Sequence, residues 1–429
     1  MFDLKNIILL LMLPLFLQGQ SDPMVLSLQN ILELANAKNI TIQKQNLQRQ
    51  MALDQLDKSK EWWLPNIFIG TRLHHLDGAD LNTDGNIFRE IDRQSRWYGG
   101  ELNASWDFGQ GLLGSKADKL RAEGIYYENI AQKNETIVSA IEAYYNCLIA
   151  KAKINLVDDL ILVKINLVDQ LRVQEEAELR LKSELLLAQG NLQRLKAQRL
   201  TNEQLLITNK LELAQLLRLK NIDKFIIEDL ILAPADIVNY TILKDTLDLA
   251  EHPAMLQYNF LKSSIQKKSD YFSLKGILLP TAGFQYTTGP FGGEYSDADY
   301  TNAWQGYFGW DIPLGQLIYG GDNKRAATEL KLIELEEEEM AYKLNSEVSA
   351  YKSQLSNLAQ QIELMIEAKD LTSESLQLSI ERENVGIGSS FEVLQAQEEF
   401  LQVSTIWIEA IAQFNVVQYK LFVAQGGNL

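Results

Sequence analysis

The sequence predicts a mixed α and β fold: long antiparallel α-helices continuous with a transmembrane β-barrel whose strands are pooled from several protomers. Three observations carry that prediction. Proline is missing between Pro65 and Pro234 and after Pro313, stretches with period-two alternation and aromatic residues interrupt the long tracts, and four sequence blocks recur at nearly constant offsets.

Composition sets the outer bounds. The 429 residues are 46% hydrophobic and 23% charged, neither a disordered nor a collagenous profile. A net charge of -17, from 57 acidic and 40 basic residues, argues against a duplex nucleic-acid binder, which needs a basic face to displace counterions. It equally disfavours a polybasic anchor to anionic lipid.

The first element is a processing signal. Lys5 precedes an apolar core over residues 7–17, followed by Gln18, Gly19 and Gln20. That core is too short to span a bilayer as a helix and has the size of a signal-peptide core, so residues 1–19 are expected to be removed on export. No cysteine stands nearby, so lipid attachment is not expected there. Cys147, the single cysteine, cannot form an intrachain disulfide and reads as a small buried hydrophobe. No later stretch reaches the roughly 18 uncharged apolar residues of a membrane helix, so a membrane-spanning part must be made of strands.

Residues 20–220 form the first half: a helix, strands over 64–76 and 95–108, then a long helical hairpin over 112–220. In the second strand Tyr98, Leu102, Ala104 and Trp106 alternate with Glu101, Asn103, Ser105 and Asp107. In the hairpin, Leu156, Leu160, Val163, Leu167 and Leu171 recur at steps of three and four, a coiled-coil-like stripe. A linker of mixed character follows over 221–240. Residues 241–429 repeat the order, with strands over 278–288 and 301–312 and a helical hairpin over 322–426. There Trp304, Phe308, Trp310 and Ile312 alternate with Gln305, Tyr307 and Asp311, and Leu355, Leu358, Ile362 and Met365 form the stripe. The blocks Leu32–Ala35 and Leu247–Ala250 lie 215 residues apart, as do Leu64-Pro65 and Leu279-Pro280; Trp106-Asp107 and Trp310-Asp311 lie 204 apart, and Glu184–Gln189 and Glu392–Gln397 lie 208 apart. A tandem repeat follows.

Four strands cannot close a barrel, and open strand edges are not tolerated in hydrocarbon. Copies must therefore pool strands. Two would give an eight-stranded barrel filled by its own side chains; a duct needs the twelve strands of three.

The segment Gly386–Gln397, with Gly386, Gly388, Ser389, Glu392 and Val393-Leu394-Gln395-Ala396, resembles the turn-and-helix motif of the TolC-like outer-membrane efflux family. The ending Tyr419–Gly426 resembles that family's closing helix, and Leu32–Asn39 and Leu247–Pro253 resemble its helix starts. The resemblance covers nearly the whole chain after the signal. It implies a homotrimer with a twelve-stranded barrel in outer-membrane lipid and a helical tunnel in the periplasm. It further implies passive export of substrates delivered by an inner-membrane pump through a periplasmic adaptor (a membrane fusion protein), with opening by movement of helix pairs at the periplasmic tip.

The resemblance also points to site residues. Glu184 and Glu392 match an inward-facing acidic position, and threefold repetition would set six carboxylates around one constriction. Gln395 stands where some members carry a second acid. Gly386, Gly388 and Ser389 form the tip turn, a candidate adaptor contact, whose first-half equivalent lies near Glu178–Lys182. The tyrosine and arginine that latch some members are replaced by Glu383 and Gly388, so Arg180, Lys182 and Arg382 are expected to supply substitute links to Glu383 or Glu392. Glu336–Glu339 reads as a solvated helix face, and His74, His75 and His252 lack ligand-like spacing. No enzyme, cofactor or metal site is expected. The alternatives are the outlet of a type I protein secretion system and, in a different class, a periplasmic coiled-coil adaptor or scaffold without a barrel.

Overall fold

The computed structural model of the protein describes residues 24–81, 85–220, 225–228, 233–234, 248–293 and 298–429. The expected signal peptide, most of the 221–240 linker and the tips of both strand loops lie outside the described residues. The chain divides into two compact units, one of residues 1–39, 137–235 and 357–416, the other of residues 40–136, 236–356 and 417–429.

In chain order the elements are β1 (Met24–Leu26), α1 (Leu28–Lys38), α2 (Ile40–Lys60), β2 (Asn66–Leu81), β3 (Ile87–Asp107), α3 (Ser115–Glu176), α4 (Lys182–Leu216), β4 (Phe225–Ile227), α5 (Pro253–Phe272), α6 (Leu274–Ile277), β5 (Thr281–Gly292), β6 (Asp299–Gly309), α7 (Leu314–Tyr319), α8 (Gly321–Asn384) and α9 (Ser390–Ala424). The longest, α3 and α8, run 62 and 64 residues without proline. Such uninterrupted tracts of Leu, Ala, Glu, Lys and Gln are strong helix formers.

In the second unit, β2, β3, β5 and β6 form one antiparallel sheet in that order. The register sorts its side chains by face. Ile67, Ile69 and Leu73 of β2 line up with Tyr98 and Leu102 of β3, Phe284 and Tyr286 of β5, and Trp304 and Phe308 of β6. This apolar face has nothing packed on much of it: Ile69 is 82% exposed and Trp304 74%. The opposite face mixes polar groups with the rings of Phe68, Trp97 and Tyr307. There Arg72 pairs with the buried Glu101, its guanidinium 5.2 and 5.4 Å from the ring centres of Phe68 and Trp97. Gln305 donates to Gln285 at 2.5 Å on the same face. Among the described residues no strand pairs with the outer edge of β2 or of β6.

The strand boundaries differ from the expected ones. β2 starts at Asn66 because Pro65 has no N–H to give to a ladder. β6 ends at Gly309, so Trp310 and Ile312 do not continue its alternation. Trp310 instead turns back and donates through its indole N–H to the Leu278 carbonyl at 3.0 Å, just as Trp106 donates to the Trp63 carbonyl at 2.8 Å. β5 starts later than expected because Ser273 caps the short α6 in front of it.

The first unit holds the distal parts of α3 and α8 with α4 and most of α9. Leu160, Leu167 and Leu171 of α3 pack with Leu185, Ala188 and Leu192 of α4 and with Val393 and Leu401 of α9. Cys147 is fully buried in this unit, and burial pushes its thiol up to about 12, leaving it protonated and inert. Within the expected linker, β4 pairs in parallel with β1, Met24 opposite Phe225 and Leu26 opposite Ile227. One later helix, α9, is long and apolar enough to cross a membrane by length and composition, although Glu409 and Lys420 keep it short of the roughly 18 uncharged apolar residues expected of a membrane helix. More than half of the apolar window is buried in packing, which marks a core helix rather than a lipid-facing one.

Gly99 of β3 and Gly289 of β5 let the two strands approach closely. A Cβ on Gly99 would stand 2.0 Å from the Thr288 carbonyl oxygen, whereas one on neighbouring Gly100 would meet nothing closer than 4.0 Å. Gly99→Ala is therefore expected to cost roughly 1–3 kcal/mol, lowering the midpoint of heat-induced loss of β-sheet circular dichroism, while Gly100→Ala leaves it nearly unchanged. Equal midpoints for the two variants would show that this close approach does not exist.

Candidate functional site

Two helical turns of the first unit meet and bring most of the expected site residues together. The α3–α4 turn reverses at Glu178, whose φ of 55° is left-handed, and the α8–α9 turn reverses at Gly386, with φ of 79°. Their backbone hydrogen bonds match. Glu178 N donates to Glu175 O and Leu179 N to Gln174 O; 208 positions later Gly386 N donates to Glu383 O and Ile387 N to Arg382 O. This 6→1 and 4→1 closure satisfies carbonyls that a helix end leaves free. Glycine adopts the left-handed angle at little cost; Glu178 does so against its Cβ. Ser389 then caps α9, its hydroxyl oxygen accepting from Glu392 N at 3.3 Å.

Arg180 is the hub. Its guanidinium donates through Nη2 to the Gly388 carbonyl at 2.9 Å and reaches Glu184 Oε2 through Nη1 at 3.4 Å. Ser390 Oγ donates to the same Glu184 oxygen at 3.1 Å. Glu383 Oε1 lies 4.0 Å from Arg180, an ion pair but too long for a hydrogen bond. Arg382 and Glu392 pair at 3.8 Å on the surface, both well exposed, an arrangement of small energetic weight. Gln170 of α3 donates to Asn384 of α8 at 2.7 Å. Lys182, grouped with the other cations by the sequence, opens α4 and makes no ion pair among the described residues. It stands two residues past Arg180, at the start of α4, and is exposed.

Glu383 is the unusual member. It is 1% exposed, and neither carboxylate oxygen has a hydrogen-bond partner among the described residues. Burial pushes its carboxyl above the usual glutamate range, Arg180 opposes that rise and Glu184 adds to it. Beside it lies a groove of about 700 Å³ between α3 and the end of α8, with Val163 and Ile380 as apolar wall and Asn166, Gln170 and Gln174 as polar wall.

Three features escaped the sequence reading. The Gly388 carbonyl as acceptor is a backbone group and has no residue signature. The Ser390–Glu184 hydrogen bond joins residues 206 positions apart. The turns also carry exposed apolar side chains, Leu179 and Leu181 on one and Val385, Ile387 and Phe391 on the other. That last signal was legible, since apolar residues at a solvated helical turn suggest a surface kept for contact.

No family model matches the sequence, and no curated relative matches it. Solved structures do. A membrane protein from Pseudomonas aeruginosa superposes with TM-score 0.77 at 16% identity, over 95% of this chain and 92% of the other. The outer membrane protein VceC from Vibrio cholerae gives 0.77 at 13% identity, over 94% and 96%. The CmeC outer membrane channel of Campylobacter jejuni gives 0.78 at 16% identity, over 93% and 85%. The chain has the TolC-like fold. Within this TolC-like chain the paired turns hold Arg180 near Glu383 and Arg382 near Glu392.

A pH dependence follows for the tip. With its pKa raised when buried, Glu383 holds its proton longer in the packed turn than in an opened one. The packed arrangement carries no penalty below the normal glutamate pKa and loses stability as pH rises through the raised value. Amide exchange at residues 382–388 is therefore expected to be slower at pH 5 than at pH 8, after correction for intrinsic rates. Glu383→Gln should remove the difference; an unchanged pH profile in that variant would rule Glu383 out as its origin.

Proposed function

We propose that the chain is an outer-membrane channel-tunnel that passively exports substrates handed over by an inner-membrane pump and a periplasmic adaptor. The observation that carries this is the sheet: one face largely apolar and exposed, the other carrying the Arg72–Glu101 pair, and, among the described residues, two unpaired edges. Strands of 16, 21, 12 and 11 residues meet or exceed the roughly 9–11 a membrane strand needs. Edges of this kind are tolerated in lipid only when neighbouring copies close the ring, and three copies supply twelve strands around a wet interior. The solved channels of the same fold support the reading.

The tandem repeat is supported by paired details at matched offsets. The tryptophan–carbonyl bonds from Trp106 and Trp310 sit at either end of corresponding hairpins, and the two tip turns close with the same hydrogen bonds 208 residues apart.

The turns serve as the periplasmic gate. Arg180 ties the first hairpin to the second through the Gly388 carbonyl and, with Ser390, occupies Glu184. Releasing Arg180 would both part the hairpins and free the Glu184 carboxylate. Opening then exposes a ring of acids, Glu184 and Glu392 in each of three copies, which favours cations by its field. The exposed apolar residues at the turns, with Gly386, Gly388 and Ser389, offer the adaptor contact. An efflux system is the first reading, and a type I secretion outlet would share this architecture. A coiled-coil scaffold without a barrel would leave the bare apolar sheet face unexplained.

Planar-bilayer recording on the detergent-purified protein tests the gate. A hydrogen bond to a charged donor contributes about 1.5–3 kcal/mol, so Arg180→Gln is expected to raise the open-to-closed ratio on the order of tenfold or more per gate contact. Glu184→Gln with Glu392→Gln should lower cation preference, read as a smaller reversal potential in a salt gradient. Conductance and selectivity unchanged in all these variants would remove the gate assignment. A water-soluble monomer with no membrane-embedded sheet would remove the channel itself.

A further inference from the structure

The sheet already contains one junction between its two hairpins, and that junction is a template for the junction between copies. β3 ends the first hairpin and β5 begins the second, and they pair in one register from Arg96 opposite Gly292 to Asp107 opposite Thr281. The unpaired edges belong to β6, which ends the second hairpin, and to β2, which begins the first. β6 repeats β3 at the offset that separates Trp106-Asp107 from Trp310-Asp311, and β5 repeats β2 at the offset that separates Leu64-Pro65 from Leu279-Pro280. The same two offsets relate the bond from Trp106 to the Trp63 carbonyl and the bond from Trp310 to the Leu278 carbonyl.

We propose that β6 of one copy pairs antiparallel with β2 of the next in the register that β3 and β5 use. Trp304 then lies opposite the partner subunit's Leu73, and Phe308 opposite the partner subunit's Ile69. This seam presupposes the membrane channel proposed for the chain and adds its alignment. The faces agree, since Trp304 and Phe308 share the apolar face with Ile69 and Leu73. A slip of one residue would turn one strand's apolar side into the lumen. A slip of two keeps the faces, and the two hairpins differ by such a step: Ala282 pairs with Phe308 where strict repetition of Ile67 with Leu102 would give Gly306. Ring closure and side-chain pairing therefore decide.

One row of side chains gives the shear. Ile67 pairs with Leu102, Leu102 with Tyr286 and Tyr286 with Trp304, and the seam continues the row to the partner subunit's Leu73. Each copy thus advances the row along β2 from position 67 to position 73. Three such steps over twelve strands, at roughly 3.3 Å per residue and about 4.8 Å between strands, set a strand tilt of about 45° and a backbone radius of about 13 Å. Natural barrels close at tilts of about 35–45°. A slip of two one way would steepen the tilt to about 55° and set Trp304 against the partner subunit's His75. A slip of two the other way would narrow the radius to about 11 Å and set Trp304 against the partner subunit's Thr71. Of the three, the proposed register alone gives both large apolar side chains of β6 an apolar cross-strand partner.

Disulfide trapping in the full chain tests the seam, in isolated membranes with an added oxidant. Cys147 is buried and inert, so it stays. Within one copy β2 and β6 are the two outer strands of the sheet, too far apart to be bridged, so any bond between them joins two copies. Trp304→Cys with Leu73→Cys should yield covalent trimers, and so should Phe308→Cys with Ile69→Cys as a second pair. All four side chains are well exposed, so the substitutions remove no core packing. Trp304→Cys with Thr71→Cys or with His75→Cys would form diagonal pairs about 7–8 Å apart and should link roughly tenfold less. Light scattering on the detergent-purified samples reads the copy number. A trimer that links best through Thr71→Cys or His75→Cys, or at neither proposed pair, overturns the register and leaves the channel reading standing. A monomer overturns both.

Discussion

The rest of the structure turns on one constraint: a sheet with an exposed apolar face and unpaired edges could not sit in lipid until its edge N–H and C=O groups were paired. Each unsatisfied backbone group in hydrocarbon costs several kcal/mol, so a four-stranded sheet of this length is an incomplete object. The sheet order β2-β3-β5-β6 brings the two hairpins side by side and, among the described residues, leaves one unpaired edge at each side. An edge at β6 and an edge at β2 are what a cyclic assembly needs, because each copy then offers its neighbour the complement of what it receives. The alternation of side chains follows from the same demand. Tyr98, Leu102 and Trp304 stand on one face and Arg72 and Glu101 on the other, the division that a sheet between lipid and water would need.

Much of this was legible in the chain. Period-two patterning placed Leu102 and Ala104 opposite Glu101 and Asn103, and the register agrees. The stripe of Leu160, Leu167 and Leu171 reads directly as helix core because a buried helical face must recur every three or four residues. Legibility fails where the deciding group is not a side chain or where its partner is far along the chain. Nothing in the sequence marks the Gly388 carbonyl as Arg180's acceptor. Lys182 looked equivalent to Arg180 in a list of nearby cations, yet two positions around a helix start are enough to separate their roles. Glu383 read as an acid awaiting a cation, with nothing said of burial; that burial depends on how α3 and α8 pack, which local pattern does not encode. The parallel pair of β1 and β4 was hidden for the same reason, joining residues about 200 positions apart.

The turns show how corresponding segments diverge to make a contact. Glu178 and Gly386 adopt the same left-handed conformation, and Glu184 and Glu392 hold matching places on α4 and α9. Between them the match is broken: Arg180 stands where the other turn has Gly388. Two arginines facing each other would repel, and two glycines would have nothing to reach with. One arginine and one glycine give a long donor and an unobstructed carbonyl, which is the asymmetry a link between otherwise similar hairpins requires. A side chain on Gly388 would also come within 3.0 Å of the Arg382 Cβ and the Glu383 N, so the tight turn and the exposed acceptor have a common cause.

A contact of this kind demands that the helices keep their register over many turns. Apolar stripes alone do not ensure it, since a shift of one heptad, about 10 Å along the axis, again sets leucine against leucine. Buried polar groups break that degeneracy. Asn209 of α4 donates to the Asn146 carbonyl of α3 at 2.9 Å, Gln397 of α9 donates to the Leu160 carbonyl of α3 at 2.9 Å, and Asn415 of α9 donates to the Ala233 carbonyl at 3.1 Å. Each would be left unsatisfied by a slip, at a cost of about 1–3 kcal/mol, and so each selects one alignment among several that pack almost equally well. Such polar pins add little net stability over apolar replacements, but they fix where the helices end. The position of Arg180 opposite Gly388 is therefore set by amides buried far up the same helices, before the turn makes any contact of its own.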